Sequence, residues 1–330
     1  MSRTTAIALT LASAAAINNH PRGFYEEKFF NWVKEHKVEI GNGQLFTHFL
    51  QNFADNDDYI EEHNAKGESY TLGHNKFSHM TTTEWREAMR LGLGYPTAPK
   101  FESTHSAPEN YSASSSVDWR EKGAVTPVKD QGSCGSCWSF SSTGAMEGAN
   151  QIKSGSLVSL SEQHFVDCDT NGDHGCFGGL MDNAFEWAQS NGGVCSEEAY
   201  PYNAKKGDCA DKTCGTHYAT PTGFTDVKAN SESSLLSALD KQPVSVAIEA
   251  DESTFQLYKS GVLTAKCGTN LDHGVLAVGY GTDNGVNYWT VKNSWGDSWG
   301  ESGYIRLSRD VSQKQGQCGI LSGPPSYPNM

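Results

Sequence analysis

The sequence lacks several features that would assign it to a simple structural class. No apolar run reaches the roughly 18 residues of a membrane-spanning helix. Charged residues make up only 19% of the chain and glycine accounts for 34 of 330 residues, which excludes a charge-rich disordered chain, a coiled coil and a collagen. Basic residues are few, 25 Lys and Arg against 39 Asp and Glu, and this acidic balance argues against a nucleic-acid partner.

Cysteine is absent from the first 133 residues, and all nine cysteines follow them. Histidine has the opposite distribution, because seven of the eleven histidines lie within residues 17–109. The two regions differ so much in chemistry that we expect two functional units. An odd number of cysteines in an exported protein indicates four disulfides and one free thiol.

The N-terminus resembles a secretory signal. Arg3 precedes a short, mostly apolar stretch that ends in three alanines at Ala16, so we expect a signal peptide over residues 1–16 and an oxidising destination. The alternative is an ordinary N-terminus in a cytosolic protein, whose cysteines would be metal ligands or free thiols.

Periodicity predicts one helix in the first region and a linker after it. Apolar residues recur at helical spacing from Phe46 to Ile60, and the acidic run Asp55–Glu62 is interpreted as the solvated face of that helix. The segment Gly92–Ser116 is rich in Gly, Pro, Ser, Thr and Ala, which is typical of a linker that proteases cut easily.

The second region predicts a helical half followed by a β half, with a cleft between them. A stripe of small residues from Ser136 to Ile152 indicates a buried helix with Gly155 as its C-cap. A second helix is predicted over Leu180–Ser190, and Asn284-Gly285 is typical of a hairpin turn. The predicted strands are Val244–Glu249, Gly274–Tyr280, Tyr288–Asn293 and Gly303–Ser308.

The string QGSCGSCWSF, residues 131–140, carries the strongest chemical signal. It reads as a Gly-containing loop that leads into a helix beginning at Cys137. A thiol at a helix N-terminus lies near unpaired N–H groups and the positive end of the helix dipole, and both favour the nucleophilic thiolate. Such a thiolate needs an imidazole within hydrogen-bond reach to protonate a leaving group.

His273 is the histidine that the sequence places best for this role. It enters a predicted strand, and the hairpin returns the chain beside it, which brings Asn293 to the same end. The Asn293 amide can orient an imidazole, and Trp295 can exclude water from that contact. Two alternatives remain open at this point, namely a structural strand histidine and a redox pair formed by Cys134 and Cys137.

Taken together, these strings resemble the papain family of cysteine proteases, above all its cathepsin L-like members. Cys137 precedes His273 by 136 residues and Asn293 by 156, against roughly 130–150 in the family signature. The resemblance covers nearly all of the chain. The strings that carry it, besides residues 131–140, are Val117–Arg120, Gly123–Lys129, Gly175–Asp182, Asp272–Val275, Asn293–Gly296 and Trp299-Gly300.

The resemblance implies a role for each matching residue. Cys137 is the implied nucleophile, His273 its acid–base partner and Asn293 the group that orients His273. The Gln131 amide would join the Cys137 backbone N–H as an oxyanion hole. The implied substrate-binding residues are Gly178, Gly179, Leu180, Met181, Ala247, Leu271, Asp272, Gly323 and Trp295. The expected pocket carries no charge, so we expect apolar or aromatic P2 side chains to be preferred.

The same comparison implies a disulfide pattern. Three family bridges match this chain, and the two additional cysteines are inferred to pair with each other, which leaves Cys137 free. The pairs are Cys134–Cys176, Cys168–Cys209, Cys267–Cys318 and Cys195–Cys214. No cofactor is implied, and no metal is expected because no second metal-spaced Cys/His pair accompanies Cys134 and Cys137.

The first region resembles the inhibitory propeptide of the family. The matching residues are Phe53, Asn56, Ile60 and Asn64 of a long helical motif, and Gly73, Asn75 and Phe77 of the next motif. Leu45, Phe49 and His79 stand where the family usually has Glu, Arg and Asp. We therefore hypothesise that propeptide histidines buried in the neutral form loosen the propeptide as the pH falls through about 6–7.

The sequence thus predicts an α+β, papain-like two-domain fold. It comprises a signal peptide (1–16), a helical propeptide (17–112), a helical left half (about 124–222) and a β-barrel-like right half (about 223–330 plus 113–123), with the active-site cleft between the halves. The predicted protein is a monomeric cysteine endopeptidase zymogen in the secretory pathway, extracellular or in a lysosome or vacuole. Its partners would be protein or peptide substrates and its own propeptide, without nucleic acid or a membrane span. The alternatives are an inactive peptide-binding homologue and a thiol–disulfide oxidoreductase that uses Cys134 and Cys137.

Overall fold

The computed structural model describes residues 18–91 and 103–330. The expected signal peptide and the first part of the expected linker lie outside the described residues. In the described part, no helix combines the length and the apolar character needed to cross a membrane.

The described part of the N-terminal region contains three helices: α1 (Arg22–His36), α2 (Gly43–Asn64) and α3 (Thr82–Met89). The helix predicted from Phe46 lies within α2, which begins earlier because the Asn42 side chain accepts hydrogen bonds from the first-turn amides of Gln44 and Leu45. The helices α1 and α2 pack through a cluster of buried aromatic side chains that includes Phe29, Trp32 and Phe53.

The acidic run on α2 is only in part a solvated face, which corrects the prediction. Asp57 is 3% exposed, and its carboxylate accepts hydrogen bonds from Lys28 Nζ at 2.8 Å and from His74 Nε2 at 2.9 Å. A buried carboxylate needs such partners because it has lost its hydration. Asp57 therefore belongs to the core face of α2 and joins the helices to the loop after it.

The helical half contains α4 (Cys137–Ser154), α5 (Glu162–Cys168) and α6 (Met181–Asn191). Both predicted helices are confirmed to within two residues at each end, and Gly155 caps α4 in the left-handed conformation. The small-residue stripe lets α4 approach the sheet closely, because a Cβ atom added to Gly144 would lie 2.7 Å from Leu276. This contact places the N-terminus of α4 against the sheet.

The β half is built around one mixed sheet and two short helices, α7 (Glu232–Leu239) and α8 (Ser253–Gln256). Single 3-10 turns lie at Asp211–Thr213 and Gln317–Gly319. The strands of the described residues are β1 (Tyr70–Leu72), β2 (Thr104–His105), β3 (Val117–Asp118), β4 (Val194–Cys195), β5 (His217–Tyr218), β6 (Gly223–Val227), β7 (Val244–Ile248), β8 (Tyr258–Leu263), β9 (His273–Asp283), β10 (Val286–Lys292), β11 (Tyr304–Ser308) and β12 (Ser326–Asn329).

The strand order is β1-β8-β11-β10-β9-β7-β12-β6-β2, with β3 paired to β9 and β4–β5 as a separate ribbon. Among the described strands the sheet is open, so the expected barrel-like right half is corrected. The two edge strands come from the N-terminal region, where β1 pairs with β8 and β2 pairs with β6. Two strands that the sequence did not predict thus terminate the sheet.

The hairpin between β9 and β10 is confirmed. Asn284 and Gly285 both have positive φ, 48° and 82°, as a tight two-residue hairpin turn requires. The antiparallel register runs from Val286 opposite Asp283 to Lys292 opposite Leu276. Because β9 begins at His273 and β10 ends one residue before Asn293, the two side chains meet at the same end of the hairpin.

Candidate active site

The thiol of Cys137 lies where the helical half meets the sheet. Cys137 is the first residue of α4, and the loop before it is held by the Cys134–Cys176 disulfide and by the Gly135 amide, which donates to the Cys176 carbonyl at 3.0 Å. Cys137 is 9% exposed and accepts a hydrogen bond from the Gly274 amide. The loop and α4 therefore bring the thiol beside the residue that follows His273.

The side-chain amide of Asn293 holds the imidazole of His273. His273 Nε2 donates to Asn293 Oδ1 at 2.7 Å, and Asn293 Oδ1 also accepts from the Ser294 amide at 2.8 Å. The Trp295 ring stacks on the His273 ring with centroids 4.8 Å apart. No described residue is a hydrogen-bond partner of His273 Nδ1, which leaves this nitrogen for contact with the thiol.

Burial sets the charge state of the two groups. Burial raises the pKa of the Cys137 thiol to about 11, against the opposing effect of the Gly274 amide. Burial also lowers the pKa of His273 to about 4, and the hydrogen bond to Asn293 opposes that shift. Burial therefore favours the uncharged form of both the thiol and the imidazole in the covered site.

Gln131 lies in the same loop and is fully buried. Its Nε2 donates to the Cys134 carbonyl at 2.9 Å, and its Oε1 accepts from Ser294 Oγ at 2.7 Å. An amide nitrogen has two hydrogens, so one hydrogen of Gln131 Nε2 remains for a further acceptor. Sequence reasoning missed Ser294, whose hydroxyl fixes the amide.

The expected pocket residues come from four separate parts of the chain. Met181 and Ala247 share one apolar cluster, against which Leu271 packs. Gly323 lies beside them, because an added Cβ would be 2.6 Å from Leu271 and 3.9 Å from Ala247. Leu180 is half-buried directly before α6. The resulting wall is apolar.

Gly178, Gly179 and Asp272, also expected to bind substrate, are each held by the local backbone or by close packing. Gly178 has φ of 103°, a conformation that favours glycine. Gly179 packs between the Trp138 ring and the Asp173 carboxyl, where an added Cβ would lie 2.6 Å and 2.8 Å from their atoms. Asp272 Oδ1 accepts from the Ala250 amide at 2.9 Å, which fixes the chain just before His273.

The N-terminal region covers this site. Phe77 and Trp85 direct their edges at the Trp295 ring, with centroids 5.8 and 5.5 Å apart. Asn75 Nδ2 donates to the Gln256 carbonyl at 2.8 Å, and the Arg90 guanidinium lies 4.5 Å above the Phe177 ring. Sequence reasoning missed Trp85 and Arg90. Trp85 could have been noticed from the sequence, because the capping box formed by Thr81 and Glu84 predicts a short helix that contains it.

The structure contains four disulfides, which are Cys134–Cys176, Cys168–Cys209, Cys195–Cys214 and Cys267–Cys318. They are the four pairs expected from the sequence. Three follow from the family resemblance, and the pairing of Cys195 with Cys214 was inferred. Cys137 is free. Since Cys134 is bonded to Cys176, it is not available as the redox partner of Cys137. The structure therefore does not support the oxidoreductase alternative, which requires both thiols.

One side-chain cluster in the helical half has the composition of a metal site. The Nε2 atoms of His164 and His217 lie 2.9 and 2.8 Å from Asp211 Oδ1, and Cys195 is adjacent. The Cys195 sulfur is in a disulfide, and its backbone amide donates to His164 Nδ1 at 3.1 Å. His164 Nε2 therefore carries the proton and donates to Asp211, so the observed bonds describe a hydrogen-bonded cluster.

Together, the free Cys137 thiol, the His273 imidazole held by Asn293 and the helical region over them form a covered candidate thiol site. Comparison with known proteins gives the family. Residues 113–327 match the profile described as papain family cysteine protease, and residues 29–85 match the cathepsin propeptide inhibitor domain (I29). The chain belongs to the papain family of cysteine proteases and contains a propeptide inhibitor domain. The resemblance predicted from the sequence is confirmed.

The similar proteins include plant proteases and their precursors. The chain is 49% identical over 282 residues to cysteine proteinase RD21A of Arabidopsis thaliana, covering 84% of this chain and 60% of that protein. It is 48% identical over 314 residues to germination-specific cysteine protease 1 of the same plant, covering 91% and 83%. The structure of recombinant stem bromelain precursor superposes with a TM-score of 0.84 at 40% identity, covering 93% of this chain and 99% of that one.

The chain covers only part of the length of some of its relatives. The chain spans 65% and 60% of the length of two Arabidopsis thaliana relatives to which it is 52% and 49% identical. The papain-like fold preceded by a helical propeptide region is nevertheless confirmed, since precursor structures superpose over more than nine-tenths of this chain.

Proposed function

We propose that this protein is a cysteine endopeptidase made as an inactive precursor, with Cys137 as nucleophile and His273 as acid and base. The observation that carries the proposal is the free thiol at the N-terminus of α4, which contacts the Gly274 amide beside the His273–Asn293 pair. In this reaction the thiolate sulfur bonds to the peptide carbonyl carbon. Imidazolium His273 gives its proton to the leaving amine, and water then hydrolyses the thioester and restores the thiol.

Gln131 and the Cys137 backbone N–H are the proposed donors to the oxyanion. Two donors fixed before the reaction stabilise the charge that forms on the carbonyl oxygen, and one such donor contributes about 3–4 kcal/mol to the transition state. The hydrogen bonds from Gln131 to Cys134 and from Ser294 to Gln131 support this role, because they hold the amide without an ordering step during catalysis.

The precursor is proposed to be inactive because its thiol and imidazole are both neutral and covered. Removal of the N-terminal region would return water to the cleft and allow the thiolate–imidazolium pair to form. We propose that the cut falls near residues 113–116, after the expected propeptide 17–112. The inhibitory domain would then act as an intramolecular inhibitor until it is released.

The proposed substrates are proteins or peptides with an apolar or aromatic P2 side chain. The wall formed by Leu180, Met181, Ala247, Leu271 and Gly323 supports this preference. We propose a monomer that reaches an extracellular, lysosomal or vacuolar compartment through the secretory pathway after loss of residues 1–16. Four disulfides support an oxidising destination.

The test uses purified precursor and its Cys137→Ala variant. Both are incubated with thiol at about pH 4.5, near which carboxylates and buried histidines change charge, and hydrolysis of a fluorogenic Phe-Arg dipeptidyl amide is followed. Loss of the N-terminal region with hydrolysis in the wild type alone supports the proposal. Equal hydrolysis by the Cys137→Ala variant would contradict it. A parallel Arg-Arg substrate tests the pocket, because an apolar P2 residue should be cleaved faster.

A further inference from the structure

Two buried carboxyl groups lie beneath the wall of the cleft. Asp169 follows α5, and Asp173 lies in the loop before Gly178–Leu180; they are 0% and 4% exposed. Asp169 Oδ1 accepts from the Asn171 amide at 2.8 Å. In the part of the chain that the structure describes, the Oδ2 atoms of both residues are buried without a hydrogen-bond donor.

The two carboxyl groups lie within hydrogen-bonding reach of each other. Both unpartnered oxygens are satisfied at once if a single proton lies between them, because a carboxylic acid donates and a carboxylate accepts. Burial, together with the negative charge of Asp169, raises the pKa of Asp173 to about 8, and burial also raises that of Asp169.

The surrounding charges do not neutralise the pair. Lys206 lowers the pKa of Asp169, whereas Glu186 on α6 raises it. Asp182, at the start of α6, also interacts with Asp173. Two ionised carboxylates at this depth would repel each other strongly, which is why one of them retains a proton well above its usual range.

Asp173 holds the wall of the cleft directly. Its Oδ1 accepts from the Leu180 amide at 2.8 Å and from Asn183 Nδ2 at 3.1 Å. Its carboxyl carbon also packs against Gly179, opposite the Trp138 ring. Any movement of the Asp173 carboxyl would therefore move the backbone that is proposed to hold the substrate.

We propose that Asp169 and Asp173 share one proton between their Oδ2 atoms and that this acid pair positions the Gly178–Leu180 wall for peptide binding. The inference rests on the proposed function, and Asp173 is a positioning residue that acts through Gly179 and Leu180. The shared proton stabilises the wall at acid pH. As the pH rises, the pair loses this proton, the carboxylates repel each other and substrate binding weakens.

The test separates KM from kcat over pH 5–9 in activated enzyme. For the wild type, KM should rise about tenfold on the alkaline side, which corresponds to ~1.4 kcal/mol of binding. Asp173→Asn should give a nearly constant KM, because its amide nitrogen donates permanently to Asp169 while its oxygen still accepts from Leu180. Asp169→Asn should do the same, with its amide donating to Asp173.

Three further variants complete the test. The double variant Asp169→Asn/Asp173→Asn should bind substrate worse than either single variant, because the two amides cannot both donate and accept across the contact in the observed arrangement. Asp173→Ala should raise KM at every pH. The control is Asp226→Asn, which replaces another buried acid with a raised pKa on β6 and should retain the wild-type slope.

Several results would overturn the proposal. Single Asn variants that keep the wild-type dependence of KM on pH would show that the pair is not the titrating group. A wild-type KM that responds to added Ca²⁺ or to a chelator would show that a cation, not a proton, joins the oxygens. If no variant hydrolyses peptides, the proposed function has failed. The pair is then tested by thermal unfolding, where the single Asn variants should show a smaller pH dependence between pH 6 and 9 than the wild type. A dependence equal to that of the wild type would reject the shared proton.

Discussion

At the scale of single residues, the orientation of the His273 imidazole depends on one hydrogen bond that is shielded from water. Asn293 Oδ1 accepts a hydrogen bond from His273 Nε2, and the Trp295 ring stacks on the imidazole. The bond fixes both the ring orientation and the tautomer, so Nδ1 carries no proton in the neutral form of the ring.

We expect Asn293→Ala to reduce kcat/KM roughly 10- to 100-fold, since loss of a buried hydrogen bond is worth about 1–3 kcal/mol. The measurement is steady-state hydrolysis of the fluorogenic substrate by activated enzyme. The matched control is Asn150→Ala on the surface of α4, where the amide bonds only to the Ser156 carbonyl. Equal activity of both variants would show that Asn293 does not orient the imidazole.

The residues that carry the proposed chemistry could be found from the sequence because they lie in short contiguous strings. Cys137, His273 and Asn293 were located in this way, and the structure brings them to one end of the β9–β10 hairpin. The partners of buried acids could not be found. Asp57 lies in an acidic run, and only the packing of α1 and the loop at His74 shows that it is buried. The pair of Asp169 and Asp173 depends in the same way on how a loop closes.

At the scale of secondary-structure elements, the turn before α3 contains the histidine with the least usual surroundings. His79 packs edge-on against Phe49 at 4.5 Å and lies 5.3 Å from the Trp32 ring. Burial lowers its pKa, and among the charged groups around it Glu84 raises the pKa while His36 and His48 lower it. Because the folded form disfavours the proton, the stability of this region is lost as the pH falls below about 6.5, the ordinary value for histidine.

We expect His79→Phe to move the onset of acid processing to a lower pH, because the ring still packs but no longer titrates. The onset is measured from the appearance of processed chain by gel electrophoresis between pH 4 and 7. The control is His20→Gln, which removes a half-exposed histidine paired with Glu61. An unchanged onset for His79→Phe would exclude His79 as the group that triggers processing.

Element types could be predicted well where periodicity extends over many residues, as in α4, α6 and the β9–β10 hairpin. The short strands β1 and β2 could not be predicted. They are three and two residues long, and they are strands only because the edges of β8 and β6 offer unpaired backbone groups. The edge of a sheet exists only in the folded protein, so the local sequence contains no pattern that predicts it.

At the scale of the whole molecule, a buried charged network joins the segments beneath the cleft. Lys129 Nζ donates to Glu147 on α4 at 3.1 Å, to Glu162 on α5 at 2.7 Å and to the Leu160 carbonyl at 2.8 Å. Both carboxylates are 1% exposed in their side chains. Their negative charge raises the pKa of Lys129, in spite of its burial, so the lysine is charged at every relevant pH.

We expect Lys129→Met to lower the free energy of unfolding by about 3–5 kcal/mol, because it removes the cation that donates hydrogen bonds to both buried carboxylates. The free energy is measured by urea denaturation of the Cys137→Ala chain at pH 7. The contrasting variant is Lys76→Met, which breaks the pair with Asp130, a carboxylate that is 47% exposed. That change should cost no more than about 1 kcal/mol, and equal losses would contradict the distinction.

The central claim is that Cys137 is the reacting thiol and that the N-terminal region keeps it covered. The most direct measurement is alkylation by iodoacetamide at neutral pH, before and after acid processing, with the label located by peptide mass spectrometry. Since the other eight cysteines are in disulfides, the processed enzyme should take one label at Cys137 and lose activity in proportion. The precursor should react far more slowly. Full activity after complete labelling of Cys137, or inactivation without a label there, would contradict the account.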